Sequence, residues 1–106
     1  MHLSSEQINQ ILDVCRAHCV DTLYAFGSVL NDNFNLDSDV DLIVSIVAEN
    51  PMDYTEHYFS LKFKIEDILG RKVDLLEEQS ISNAGFKSAV DTQKRLLYAR
   101  ENKRVA

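Results

Sequence analysis

The segment DVDLIVSIV, residues 39–47, decides how this chain folds. Leu42 to Val47 is an apolar run interrupted only by Ser45, and it is rich in the β-branched residues that suit a strand. Side chains alternate along a strand, so Val40, Leu42, Val44 and Ile46 share one face. Asp39 and Asp41 share the other, about 6.6 Å apart along the strand. On a helix the two acids would diverge by about 200°. Extended, they converge, and two like charges beside a core are unfavourable unless one keeps a proton or a cation neutralises both.

Outward from that strand the pattern alternates between helix and strand. Residues 5–19 read as a helix with Ile8, Ile11, Leu12, Cys15 and Cys19 on one stripe and Ser4 or Ser5 as its cap. Residues 20–26 read as a strand ending at Gly27, and Asn50-Pro51 punctuates the exit from the central strand. Residues 53–69 form the longest expected helix, capped by Asp53 and stopped by Gly70. Its core stripe is Tyr54, Tyr58, Leu61, Ile65, Ile68 and Leu69. Phe59 and Phe63 lie off that stripe, and mark a contact with another protein, a homodimer, or a helix buried on two sides. A strand over 72–77 and an Asn83-capped helix over 84–92 follow; residues 95–99 suit either helix or strand. The expected fold is α/β (α+β): a small mixed sheet of three to four strands with helices mainly on one face, in one domain spanning residues 1–106.

Charge is distributed unevenly. Residues 1–60 hold ten acids and one base, Arg16, a balance of -9; residues 61–106 hold ten bases and seven acids, +3, for a net charge of -6. The acidic half argues against nucleic-acid phosphates as a partner, and the basic stretch from Lys94 to Arg104 reads as a solvated face. No apolar run is long enough for a membrane span and the first residues carry no secretory pattern, so a cytoplasmic location is expected. Cys15 and Cys19 flank His18 on the first helix without a second Cys/His pair, which favours buried reduced thiols over a zinc site.

The acids carry the chemistry. Asp37, Asp39 and Asp41 match positions 1, 3 and 5 of a calcium loop, but position 6 is Leu42 instead of Gly and position 12 is Ala48 instead of Glu, which excludes it. Oxygen-only donors suit Mg²⁺ or Mn²⁺, and two such ions can clamp the oxygens of a phosphoryl displacement. Asp74, alternating with Val73 and Leu75, joins the pair if the two strands are neighbours, as a metal ligand or as the acceptor of a substrate proton. Gly27-Ser28 either permits a sharp turn and caps it, or lets a phosphate approach the backbone and the hydroxyl.

Together these residues resemble the minimal nucleotidyltransferases of the DNA-polymerase-β-like superfamily. That family's signature is Gly-Ser, ten residues, then Asp-x-Asp; here Gly27-Ser28 precedes residues 29–38 and Asp39-Val40-Asp41, within SDVDL. The likeness spans roughly residues 20–99. It implies transfer of a nucleoside monophosphate, often AMP from ATP, to an acceptor hydroxyl. Asp39, Asp41 and Asp74 would be catalytic metal ligands for Mg²⁺ or Mn²⁺, with Gly27, Ser28 and Ser38 holding the nucleotide. It further implies the antitoxin of a pair whose toxin is a helical HEPN protein, modified on a hydroxyl. In place of the Arg or Lys that many members carry shortly after Gly-Ser, this chain has Val29, Leu30, Asn31, Asp32 and Asn33. Cation candidates elsewhere are Lys62, Arg71, Lys72 and Lys87, and the alternative is a binding module that neutralises its partner by occlusion.

Overall fold

The computed structural model describes residues 2–31, 34–35, 37–81 and 83–100; Asp32, Asn33 and the end of the basic stretch after Arg100 lie outside them. Helix α1, Ser5–Ala17, begins where Ser4 Oγ accepts from Gln7 N and the Gln7 side chain accepts from Ser4 N, a reciprocal capping box. It ends at His18, and Cys19 turns the chain through a left-handed conformation (φ +58°) into β1, Val20–Phe26. That turn exposes Cys19, correcting the expectation that both thiols are buried; Cys15 is buried, and burial pushes its thiol up to about 12.

Strand β2 is Val40–Ile46, and α2, Pro51–Leu69, follows it. The cap of α2 is Asn50, whose Oδ1 accepts from Asp53 N, so the cap lies three residues before the expected Asp53 and the helix starts at Pro51. Pro51 suits the first turn, where its missing N–H costs nothing, and Gly70 ends the helix at φ +65°. Strand β3, Val73–Glu77, leads to α3, Ala84–Gln93, capped by Asn83, and then to β4, Arg95–Ala99. Pairing with β1 settles that last segment as strand.

The sheet order is β3-β2-β1-β4, with β2 antiparallel to β1 and parallel to β3. Helix α2 is the long crossover that parallel pairing requires. The core packs on one face: Ile11 and Cys15 of α1 and Leu61 and Ile65 of α2 lie against Leu23, Leu42 and their neighbours. Helix α3 lies on the other face, where Phe86 meets Phe26 edge-on at 6.0 Å and Lys94, just past its end, sits 4.1 Å over the Tyr24 ring. Among the described residues α1 and α2 therefore share a face, and the sheet's second face keeps an open stretch at one end.

Candidate active site

That open stretch is built by register. Phe26 of β1 pairs with Asp41 of β2, which pairs with Asp74 of β3, so the three side chains form one row across the second face. The next row is Tyr24, Ile43 and the following β3 position, Leu76. Asp39 immediately precedes β2, and Val40 N donates to Lys72 O at 3.0 Å, which locks the starts of β2 and β3 together. The sequence expectation that Asp74 sits beside Asp39 and Asp41 thus matches the backbone.

The electrostatics follow from that placement. Asp41 is half-buried, and burial, then Asp74, then Asp39 raise its carboxyl above the usual carboxylate range. Asp39 and Asp74 are exposed. Among the described residues no three His, Cys, Asp or Glu side chains are drawn close enough to enclose an ion. Asp41 and Asp74 share a row, with Asp39 two residues before Asp41 along the chain. The donor set is all oxygen and carries excess negative charge, which fits a hard divalent cation.

Gly27 has a role that its place in the sequence did not reveal. Its φ is +81°, and a Cβ built on it would lie 2.6 Å from Asp41 Oδ2. Only a residue without a side chain lets the backbone turn here and the Asp41 carboxylate lie against it. The turn that follows, Gly27–Leu30, is a four-residue 3₁₀ helix with Phe26 as the residue before it, so Ser28 lies inside the turn instead of capping it. His2 braces this turn: its N donates to Val29 O at 3.0 Å and its ring stacks on Phe34.

Ser38 closes the loop ahead of β2, its Oγ accepting from Asn35 N at 3.0 Å. Arg71 holds the same loop from the α2–β3 connection. Its Nη1 donates to Asn35 O and Ser38 O, both at 2.9 Å, and its guanidinium lies 4.3 Å over the Phe34 ring. Arg71 is therefore committed to the loop, and Lys87 lies 3.6 Å from Asp91. Of the other two cation candidates, Lys72 is exposed and Lys62 is half-buried. The Arg71 clamp escaped the sequence because its partners are 33 and 36 residues away.

Cavity size does not mark this row. A hollow of about 540 Å³, lined by Cys19, Val47, Asp53 and His57 among others, lies at the opposite end of β2. A groove of about 400 Å³ is closer in chemistry: Leu76, Ile81, Asn83 and Phe86 line it on the side of the sheet that carries Asp74. Among the described residues no helix is long and apolar enough to cross a membrane.

Comparison with known proteins agrees with this fold. The family described as polymerase beta, nucleotidyltransferase matches residues 6–103. A Methanocaldococcus jannaschii protein, provisionally named a protein adenylyltransferase, is 32% identical over 92 residues, covering 79% of this chain and 91% of the relative. Among solved structures, a toxin–antitoxin complex with AMP-PNP superposes with a TM-score of 0.67 at 22% identity, covering 91% of this chain and 76% of the matched one. A complex of tri-AMPylated Shewanella oneidensis HEPN toxin with its MNT antitoxin gives 0.63 at 20% identity, covering 97% and 78%. At these identities the structural matches speak for the fold.

Proposed function

The chain belongs to the polymerase-beta nucleotidyltransferase family, and from that premise we propose that it transfers AMP from ATP to a hydroxyl of a partner protein, as the antitoxin of a HEPN-type toxin. The observation that carries this reading is the row Asp41–Asp74 with Asp39 beside it, next to a Gly27 whose missing side chain leaves room for the Asp41 carboxylate. Asp39, Asp41 and Asp74 would hold Mg²⁺ or Mn²⁺, which when bound supplies charge neutralisation for the triphosphate. The Gly27-Ser28 turn offers backbone and hydroxyl to the phosphates, and Ser38 shapes the loop beside them. In the transfer the acceptor oxygen bonds to the α-phosphorus, the bond to pyrophosphate breaks, and the hydroxyl proton passes to a carboxylate, for which Asp74 on the neighbouring strand is the candidate. Incubation with labelled ATP, Mg²⁺ and the protein encoded beside this chain is expected to label that protein; no transfer with any nucleotide or metal, despite intact complex formation, contradicts the proposal.

A second reading rests on one feature: Val29 to Asn33 offers no cation after Ser28, and Arg71 is spent on the loop. On that reading the chain neutralises its partner by occlusion alone. An Asp39→Asn/Asp41→Asn double variant would then protect as well as the wild type, whereas loss of protection favours catalysis.

A further inference from the structure

Helix α2 is apolar on two sides. Leu61 and Ile65 are fully buried in the core, yet Phe59 and Phe63 are 47% and 54% exposed, and Met52 is 79% exposed. At about 100° per residue, Met52, Phe59 and Phe63 fall within about 40° of arc, roughly opposite Leu61 and Ile65. The two phenyl rings stack at 6.1 Å, so the stripe presents one continuous apolar surface. This removes the sequence-based alternative that the helix is buried on both sides within its own chain.

The borders of the stripe differ. Asp53, Glu56 and Asp67, all exposed, follow one edge over about 21 Å of helix. Lys64 on that edge turns to α1, its Nζ 3.0 Å from His18 Nε2. The opposite edge carries Lys62 and Glu66, whose Oε2 accepts from Val73 N. Charge decides what such a face accepts. A second copy packed antiparallel through α2 would set the acidic edge against itself, and one packed parallel would set three acids against an edge that holds one lysine, Lys62, and a further acid, Glu66. An apolar stripe with an acidic rail complements a helix with an apolar face and a basic flank.

We infer that the outward face of α2 docks a basic amphipathic helix of a partner protein, with Phe59 and Phe63 as the anchors. This goes beyond the proposed transfer reaction. The face lies on the core side of the sheet and the aspartate row lies on the other, so a helix seated on α2 leaves the row uncovered.

The test uses two synthetic helices of about 14 residues that share a leucine stripe, one flanked by lysines and one by glutamates, each titrated into the isotope-labelled chain and followed by amide shifts. The lysine peptide is expected to shift α2 amides around Phe59 and Phe63. Phe59→Ser/Phe63→Ser is expected to weaken it at least tenfold, and Glu56→Lys/Asp67→Lys, which leaves the rings in place, several-fold. Asp39→Asn/Asp41→Asn is expected to bind it like the wild type, which separates failure here from failure of the transfer reaction. Equal binding of the glutamate peptide, shifts centred on the aspartate row, self-association of the chain lost in the Phe variant, or capture of the stripe by lipid vesicles instead of the peptide would each overturn the inference.

Discussion

On one side of β2, Val40, Leu42, Val44 and Ile46 are buried against α1 and α2; on the other, Asp41 is half-buried in a row with Asp74, and Asp39 stands just before the strand. The same backbone serves both. On the core side pattern, packing and burial agree, and each side chain lowers the free energy of the fold. On the aspartate side the fold holds Asp41 where burial and the neighbouring Asp74 and Asp39 raise its proton affinity, and a backbone turn that only glycine tolerates. Such local disagreement is what a site looks like when the surrounding sheet is stable enough to hold it.

The two faces are expected to respond oppositely to substitution. Asp39→Asn/Asp41→Asn should lower the transfer rate at least 10³-fold, about 4 kcal/mol of transition-state stabilisation, while the circular-dichroism spectrum and melting cooperativity stay those of the wild type. Leu42→Ala, one residue from Asp41 but on the core side, should lose about 3 kcal/mol of stability by denaturant unfolding, through a cavity at a fully buried position. Its activity per folded molecule should change far less than in the aspartate variants. A large catalytic loss from Leu42→Ala in the folded fraction would mean the faces are not separable.

Gly27→Ala sharpens the comparison from the backbone. The new Cβ meets Asp41 Oδ2 and the φ of +81° is strained for alanine, so a cost of about 1–2 kcal/mol is expected together with a displaced Asp41. Its signature is lost activity and lost stability at once. The smallest effect is the most diagnostic: Asp41→Asn should stabilise the metal-free protein. Asp41's proton affinity is raised in the fold, so its contribution is fully present below the ordinary carboxylate value and is lost as pH rises through the raised one. The variant should therefore gain on the wild type across that window and stay ahead at neutral pH. Discounted for solvent screening, the gain is under about 1 kcal/mol by thermal melting.

What the sequence made legible was what depends on neighbours along the chain. The limits of β1, the turn at Gly70 and the Asn83 cap are local events, and alternation alone placed Asp39 and Asp41 opposite the core residues of β2. The cap of α2 was misplaced because Asn50 and Asp53 are both good caps three residues apart, and Pro51 between them decides for the earlier one. Residues 95–99 were ambiguous because their strand character comes from pairing with β1, seventy or so positions away. The Arg71 clamp, the closeness of Gly27 to Asp41 and the exposure of Cys19 are likewise products of the assembled fold.

The central claim is that acids from β2 and β3 act as one unit on a divalent cation. Calorimetric titration of Mn²⁺ in the presence of ATP tests it most directly, using the wild type and Asp74→Asn. Saturable uptake by the wild type, at least tenfold weaker in Asp74→Asn, is the expected result; no uptake, or uptake indifferent to Asp74, would contradict it.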